Sequence, residues 1–505
     1  MVAGIVLATL TEAIASTVLA LGRNDILGDT ASTPDEFAWL DISYIAGKLC
    51  GFLLAPGLLA GYSPRRSLVG ATLAMGLACA IAAGSLSLDV LILCRVVQGL
   101  AGGVLLVAGQ TALFLGFARH RQPLLQALFA MGSVVAPAAL TPALQGWLID
   151  SQSWAWIFLA VVPLALAASG LLLVGDWPGS QQPGLRRRDP LGTLLAVIAL
   201  CCCTWVLSQG SRWDWFEEPR VVWTSLLGLA TLLAFLGVQC LRPGVLEFSL
   251  FRSSDFSFAF IVSFVAGAAL FGSAFVIPAF ALSVLGFTPM AAGSLLLPGA
   301  VPFVAALLLT AWLVRARGVA PFATVPFGIL LIMAAMWLLS GSTRDSGVDD
   351  MQLAVLLRGL GLGLLFLSIT LIAFGQLGRD NLASGIALFN IGRQVGGLLG
   401  VAGLQTLIDQ RLANASVVLG SHVTGGSVVL AERIGQSAAV LAAKGMDALA
   451  AGRGALGLLG RAVGEQAAVL AFDAAFLAVA TLFVVAAPML VAIKGVLARR
   501  AKRSA

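Results

Sequence analysis

The feature that most constrains this chain is a series of long apolar segments that recurs from its first residues to near its last. A helix needs about 20 apolar residues to cross the hydrocarbon core of a bilayer, which is about 30 Å thick. Such segments occur about fourteen times, so the chain is predicted to cross a membrane repeatedly as helices. The predicted spans are Val2–Leu21, Phe37–Leu59, Ser67–Gly84, Val90–Phe117, Leu124–Leu148, Trp154–Val174, Leu191–Leu207, Val221–Leu241, Phe256–Ala279, Ala291–Val314, Phe322–Leu339, Leu353–Phe374, Ala383–Leu407 and Ala467–Val491.

Composition supports the same class of protein. Of the 505 residues, 59% are hydrophobic and only 11% are charged, whereas soluble domains carry about 25% charged residues. This number of charged residues cannot cover the water-facing surface of a chain this long. Lipid must therefore be its main solvent. The formal net charge is +6, but no soluble domain carries a basic stripe, and we expect no nucleic-acid partner.

Residues that support metal, redox or phosphate chemistry are scarce. All seven cysteines fall inside apolar segments, and His120 and His422 are the only histidines. The sequence therefore predicts no disulfide, no metal site and no other cofactor. It also contains no Gly-rich phosphate loop of the P-loop type, so we expect neither ATP hydrolysis by this chain nor any other enzymatic activity.

The basic residues predict an orientation. Cytoplasmic loops of membrane proteins are rich in Lys and Arg, and more than half of the 30 Lys and Arg lie in alternate loops and in the tail. An even number of spans with both termini cytoplasmic fits this pattern, as expected of a multi-pass protein of the bacterial inner membrane. The N-terminal segment is interpreted as a first span rather than a cleaved signal. The residues predicted to be cytoplasmic are Arg65, Arg66, Arg119, Arg121, Arg186, Arg187, Arg188, Arg242, Arg252, Arg315, Arg317, Arg379, Lys494, Arg499, Arg500, Lys502 and Arg503.

Ionisable residues within spans are the first candidates for function, because an unpaired charge in hydrocarbon is unfavourable. Glu12 lies about midway along the first span. Low dielectric favours the neutral form of a carboxyl group, so Glu12 is a candidate for proton coupling or for facing a cation. The alternative is a structural pairing with Lys48, and the two roles are compatible.

Asp41 and Lys48 are seven residues apart on the second span and therefore share one helical face. Asp41 is a further proton-coupling candidate, unless it is simply hydrated at the periplasmic end. Lys48 either pairs with Glu12 or meets an anionic substrate in a cavity.

The loop after the second span contains a short motif, Gly57-Leu-Leu-Ala-Gly61-Tyr-Ser-Pro64-Arg65-Arg66. It resembles the signature loop of the major facilitator superfamily, Gly-x-Leu-x-Asp-x-x-Gly-Arg-Arg, which implies a gating role for Gly57, Arg65 and Arg66. Gly61 replaces the acidic residue that helps to latch the family's cytoplasmic gate, and Pro64 replaces the second glycine. The simpler alternative is an ordinary basic turn at the cytoplasmic surface.

The fourth span contains Arg95-Val-Val-Gln98-Gly99, which resembles the superfamily's Arg-x-x-Gln-Gly motif. Arg95 is predicted to lie one to two turns inside the membrane. The resemblance implies that Arg95 tunes proton exchange, with Gln98 at the substrate cavity and Gly99 in the gating motif. The alternative is that Arg95 extends to the periplasmic interface.

The fifth span contains Pro137 and Pro142, followed by Gly146. Proline removes a backbone hydrogen bond and kinks a helix, and these positions resemble the superfamily's antiporter motif. The run from Gly146 to Phe158 resembles the junction of the fifth and sixth helices in fourteen-spanner drug:proton antiporters of the EmrB/QacA type. Gating roles for Pro137, Pro142 and Gly146 are implied.

The later spans resemble the same antiporters at Arg358-Gly-Leu-Gly-Leu-Gly363 and at Asn390-Ile-Gly-Arg393-Gln-Val-Gly-Gly397. Glycines allow close helix packing in membranes. Arg358, Asn390 and Arg393 are predicted either to line the substrate cavity or to cap helix ends.

The resemblance runs from about Thr33 to Pro488 and implies an all-α major facilitator fold. Two six-helix halves, each with inverted repeats, would surround a cavity near the membrane midplane, with two extra helices between the halves. The polar segment 408–465, between the last two spans, would leave the membrane on the periplasmic side. It would lie on the membrane surface or against a partner. The predicted units are an N-terminal half at 1–174, a linker and two extra helices at 175–255, a C-terminal half at 256–493 with periplasmic excursion 408–465, and a basic tail at 494–505.

The function implied by the resemblance is export of amphipathic small molecules or drugs in exchange for protons, by alternating access. An importer or facilitator of a small solute on the same fold is the main alternative, since fold does not fix function. A membrane receptor or scaffold without transport is another. The implied partners are the small-molecule substrate, protons and the bilayer, together with a periplasmic adaptor protein and an outer-membrane channel.

Overall fold

The computed structural model describes residues 1–19, 22–177, 189–241, 244, 246–375, 377–423 and 427–504, and the side chains of these residues except 24 and 486–504. The described residues form helices and no strands. Fourteen of these helices are numbered here in chain order. They are α1 Val2–Thr17, α2 Pro34–Gly61, α3 Pro64–Ala83, α4 Leu88–Gly116, α5 Arg119–Ser151, α6 Ala155–Val174, α7 Pro190–Gln209, α8 Pro219–Leu241, α9 Ser254–Ser283, α10 Pro289–Ala316, α11 Pro321–Leu339, α12 Val348–Phe374, α13 Leu382–Ser421 and α14 Ala448–Ser504.

Thirteen of the described helices, α2 to α14, are long and apolar enough to cross a bilayer, and α1 is a shorter apolar helix. This count confirms the predicted all-α membrane fold with about fourteen spans. Short helices at Arg23–Asp29 and Val428–Ala443 lie between the longer ones.

Local sequence signals set the starts of several helices. The Thr33 side chain accepts a hydrogen bond from the Glu36 amide, and Glu36 reaches back to the Thr33 amide, so a capping box begins α2. The Ser63 side chain caps α3 by accepting a hydrogen bond from the Arg66 amide, and Pro64 lies in the first turn. Proline is well suited to that position, which explains why Pro64 stands where the signature loop has glycine.

The first and last sets of six helices share one packing scheme. In the first set, α1 packs on α5 and α6, α2 on α4, and α3 on α4 and α6. In the second, α9 packs on α13 and α14, α10 on α12, and α11 on α12 and α14. The two sets meet where α5 contacts α10 and where α13 contacts α2 and α4, whereas α7 and α8 pack chiefly on each other.

The last two helices extend beyond the predicted spans. α13 has 40 residues and α14 has 57, because polar turns continue both helices into segment 408–465. Arg344 pairs with Glu465 at 2.7 Å, and the Ser211 hydroxyl donates to Asp409 at 3.0 Å. The loops that contain Arg344 and Ser211 therefore lie at the surface from which segment 408–465 projects. We call this the excursion surface.

The opposite surface carries the start of α1 and the end of α6. A Cβ added to Gly175 would lie 2.6 Å from the Met1 nitrogen. Most of the predicted linker Gly175–Pro190 lies outside the described residues, as does Arg242, and the side chains of the basic tail also lie outside them.

Candidate functional site

A buried ion pair joins α1 to α2. The Lys48 Nζ and Glu12 Oε1 atoms are 2.5 Å apart, and the Tyr44 hydroxyl donates to the same oxygen at 3.0 Å. Glu12 is 1% exposed and Lys48 7%. The structure therefore shows the pairing that the sequence left as one alternative. A buried carboxylate is tolerated when an opposite charge and a hydrogen bond satisfy it.

Helix periodicity explains how α2 supplies this cluster. Asp41, Tyr44 and Lys48 are spaced at i, i+3 and i+7, so they lie along one face of the helix. Tyr44 was not singled out from the sequence. Two signals could have identified it. It has helical spacing from Asp41 and Lys48, and it is one of only two tyrosines in the chain.

Arg95 lies next to this ion pair and ties three helices together. Its guanidinium donates to the main-chain oxygens of Ala15 at 2.7 Å and Leu40 at 3.2 Å. A third bond goes to the Gln98 Oε1 atom at 3.1 Å. Arg95 is 1% exposed, so it does not extend to the interface, and it connects α4 with α1 and α2.

Aromatic and acidic groups complete the surroundings of Arg95. The guanidinium lies 4.1 Å from the centre of the Tyr44 ring, within the range of a cation–π contact. Asp41 lies 3.9 Å from the guanidinium, and its side chain is 53% exposed. Asp41 therefore lies at the exposed edge of the buried cluster.

Glycines allow α2 and α4 to approach closely. A Cβ added to Gly103 would lie 2.8 Å from the Gly51 Cα, and one added to Gly47 would lie 2.7 Å from the Val96 oxygen. A Cβ at Gly102 would lie 2.9 Å from the Glu12 side chain. The glycines of the Arg95 motif thus form the helix contact and leave space for Glu12.

α5 is held against α1 by polar contacts. Gln145 donates to the Ile14 main-chain oxygen at 3.0 Å and to the Thr17 hydroxyl at 2.8 Å. Between Met131 and Leu140 the helix widens to π geometry around Pro137, as expected where proline removes a hydrogen bond. Pro142 lies in the first turn of the regular helix that follows.

The second set of helices contains two further cations within its spans, of which Arg358 is buried and Arg393 is half-buried. Arg358 on α12 donates to the Ser273 hydroxyl of α9 at 2.8 Å. Arg95 likewise connects the fourth helix of its set to the first, so the two arginines have corresponding positions. Arg393 donates to Asn390 at 2.6 Å and lies 5.1 Å from the centre of the Phe366 ring.

A small cavity of about 20 Å³ lies between the two sets of helices and is lined by Arg393. Such a volume holds about one water molecule, whereas drug-sized ligands occupy pockets of about 300–1,000 Å³. The remaining lining is mostly apolar and includes Val134, Phe303, Phe366 and Phe389.

The two sets of helices contact each other on both sides of this cavity. Towards the excursion surface, a Cβ at Gly146 would lie 2.6 Å from the Pro289 oxygen, and Asp150 accepts a hydrogen bond from the Met290 amide at 3.1 Å. Towards the opposite surface, the Phe114 and Phe374 rings meet edge to face at 5.6 Å. Admission of a ligand therefore requires the two sets to separate at one surface.

The predicted signature loop lies apart from the cluster of Glu12, Lys48 and Arg95. Arg65 donates to the Leu173 main-chain oxygen at the end of α6, within the first set of helices. Arg66 is exposed, and Gly57 has open space around its Cα. The gating role implied for Gly57, Arg65 and Arg66 stays a prediction.

The structure thus collects five predicted site residues into one cluster: Glu12, Asp41, Lys48, Arg95 and Gln98. Arg393 lies at the central cavity and donates to Asn390, which is not among the lining residues. Arg358 is buried elsewhere in the second set. Buried charges at membrane depth, and two similarly packed helix sets that meet at a small cavity, define a polytopic membrane transporter.

Comparison with known proteins identifies the family. The Major Facilitator Superfamily model matches residues 1–401, and the chain belongs to that superfamily, as predicted from its motifs.

Relatives with described names agree with the predicted subgroup. The chain is 24% identical to the colistin resistance protein EmrB of Acinetobacter baumannii, over 83% of this chain and 82% of the relative. It is 25% identical to the multidrug export protein EmrB of Escherichia coli K12, over 80% and 79%. It is 26% identical to the multidrug resistance protein B homolog of Mycobacterium tuberculosis H37Rv, over 82% and 76%.

Proposed function

We propose that this protein exports amphipathic small molecules, drugs among them, in exchange for protons. The superfamily supports transport, and the names of the relatives support export of drugs. The observation that carries proton coupling is the carboxylate of Glu12, which is buried at membrane depth against Lys48 and Tyr44.

Proton coupling follows from what neutralisation would do to this cluster. A proton on Glu12 removes the attraction that holds Lys48, and leaves Lys48 as an unpaired buried cation. Lys48 then gains by moving towards water, and α2 moves with it relative to α1. Arg95, which bonds to both helices, carries that movement to α4.

Alternating access is supported by the two closures around the central cavity. The contact of Gly146 with Pro289 and the ring contact of Phe114 with Phe374 lie at opposite surfaces. Opening one contact while the other persists would expose the cavity to one side only. Arg393 and the apolar lining would then be available to the substrate.

The test is transport into inverted membrane vesicles with an imposed pH gradient, acid inside. We expect accumulation of an amphipathic dye, and loss of that accumulation when the gradient is collapsed. Glu12→Gln should abolish gradient-driven accumulation while the protein remains folded. Glu432→Gln, at an exposed carboxylate of the helix Val428–Ala443, is the matched control and should transport normally.

Two results would contradict the proposal. Accumulation in right-side-out vesicles under a pH gradient directed inward would identify an importer. Transport that persists in Glu12→Gln at every pH would remove Glu12 from the coupling mechanism.

We further propose an inner-membrane location with both termini cytoplasmic, and the unit boundaries at 174, 255 and 493 that the sequence predicts. The projecting helices of segment 408–465 would then be periplasmic, where they could contact an adaptor protein that leads to an outer-membrane channel. Labelling of single cysteines at 187 and 440 by an impermeant reagent in whole cells tests the orientation. Labelling of both positions, or of 187 alone, would overturn it.

A further inference from the structure

The extra helices α7 and α8 are attached to the rest of the protein near the excursion surface. In the loop between them, the Trp215 indole N–H donates to the Thr406 hydroxyl of α13 at 3.0 Å. The nearby Ser211 hydroxyl bonds to Asp409, also of α13.

A second attachment lies towards the opposite surface. The Gln239 side chain of α8 donates to the main-chain oxygen of Leu246 at 2.5 Å. The Phe235 ring meets Phe248 at 6.0 Å, and Phe251 stacks on Phe248. These rings close that end of the space between the extra helices and the rest of the bundle.

Between the two attachments lies a cavity of about 500 Å³. Its walls come from α7, α8, α2, α9 and α13, and they are almost wholly apolar; Leu53, Val206, Leu232, Phe260 and Ile391 are among the lining residues. Small residues of α7 and α8 leave the space open, with Ala196, Ala199, Cys202 and Gly228 on its wall.

An apolar space of this size gains contacts when matter of its own polarity fills it. Protein interiors are close-packed, and side chains that line a void lose their dispersion contacts. Water requires polar partners and does not occupy apolar cavities. At this depth the surrounding solvent is hydrocarbon, and the exposed leucines of α8 that do not line the cavity, such as Leu226 and Leu233, face it.

The length of the cavity fits one leaflet. Its lining on α8 runs from Thr224 to Phe235, which corresponds to about 17 Å of helix at 1.5 Å per residue. Half of a hydrocarbon core of about 30 Å is about 15 Å. The polar lining groups, Thr224 and Ser225, lie at the end nearer the excursion surface, and the buried Ser225 hydroxyl has no hydrogen-bond partner among the described residues.

We propose that this cavity binds one acyl chain of a membrane phospholipid, which enters from the leaflet at the excursion surface. The ester end of the chain lies near Thr224 and Ser225, and its methyl end lies against Phe248. Since the walls belong to α2 of the first set and to α9 and α13 of the second, the chain occupies a seam between the two sets. This inference does not depend on the direction or coupling of transport.

The test uses the full chain in liposomes that contain phosphatidylcholine with a photoactivatable diazirine on one acyl chain. After illumination, peptide mass spectrometry locates the adducts. We expect adducts on the cavity residues Leu200 and Leu232 as well as on the outward-facing Leu233. Ala199→Phe, which fills the cavity, should reduce the adducts on Leu200 and Leu232 several-fold and leave that on Leu233 unchanged.

Gly237→Phe is the matched control, because Gly237 lies on α8 with open space around its Cα; it should leave the adducts at all three sites unchanged. If Ala199→Phe fails to give a monodisperse protein, Val206→Phe serves as the filling variant. Adducts confined to Leu233 in the unmodified chain, or cavity adducts that persist in the filling variant, would overturn the proposal. Displacement of the cavity adducts by a transported dye would overturn it too, and would assign the cavity to substrate.

Discussion

At the scale of single residues, the buried charges of Glu12 and Lys48 each depend on the other for compensation. Both lie in the interior, their charged atoms are 2.5 Å apart, and Tyr44 supplies one hydrogen bond. Removal of one member of a buried pair leaves an uncompensated charge, which typically destabilises a protein by about 3–5 kcal/mol. Removal of both members leaves no such charge.

Lys48→Met should therefore reduce the stability of the folded protein by about 3–5 kcal/mol, since the Glu12 carboxylate loses its counter-ion. The double variant Glu12→Gln, Lys48→Met should recover most of this loss. Thermal unfolding in detergent at neutral pH measures both effects. Equal stability of the two variants would show that the pair is not formed.

The same double variant separates stability from coupling. It should remain unable to drive accumulation by a pH gradient, because no carboxyl group is left at position 12. Gradient-driven transport by a stable double variant would place the proton elsewhere, with Asp41 as the next candidate.

At the scale of helices, the close approach of α2 and α4 positions the cluster. Gly47, Gly51, Gly99 and Gly103 bring the two backbones together, as small residues do in membrane helix pairs. Lys48 and Tyr44 lie on the same stretch of α2, so a displacement of that helix would draw them away from Glu12.

Gly103→Val should push α2 away from α4, because even a Cβ at Gly103 would lie 2.8 Å from the Gly51 Cα. We expect lower thermal stability and loss of gradient-driven transport. Gly70→Val on α3 is the control, since no heavy atom lies within 4 Å of the added Cβ. Comparable losses in both variants would mean that any β-branched residue in a span has this effect.

The contact of α7 with α2 can be tested through two cysteines. The side chains of Cys50 on α2 and Cys201 on α7 lie close to each other. Oxidation with copper phenanthroline should join them, which protects both from alkylation, whereas Cys79 on α3 should remain free to react after denaturation. Cys201→Ser should restore alkylation of Cys50. Unaltered alkylation of the oxidised protein would argue that α7 lies elsewhere.

At the scale of the whole molecule, the small volume of the central cavity indicates that transport requires the two sets of helices to separate. The volume of about 20 Å³ at the centre cannot hold a drug-sized ligand. The closure towards the excursion surface depends on the absence of a side chain at Gly146, where α5 meets the start of α10.

Gly146→Val should prevent this closure and favour a state that is open towards the excursion surface. A cysteine at Val134, in the wall of the central cavity, should then react faster with a water-soluble maleimide in a cysteine-free background. Gly170→Val is the control, because Gly170 on α6 has open space around its Cα. Unchanged reactivity in Gly146→Val would show that this contact does not control access.

The sequence by itself determined the class of protein, the number of spans and the candidates Glu12, Lys48 and Arg95. Hydropathy and rare charges are local properties, so each can be recognised without knowledge of the fold. The sequence did not predict that α13 and α14 extend into segment 408–465, because a polar helix in water has no membrane-length apolar signal.

Only the tertiary structure decided which charges meet. Glu12, Lys48 and Arg95 lie on α1, α2 and α4, and their contacts depend on helix rotations that the Gly47, Gly51, Gly99 and Gly103 contacts fix. The same packing places the Tyr44 hydroxyl within hydrogen-bond distance of Glu12. Such contacts depend on distances between segments far apart in the chain, which no local pattern of residues specifies.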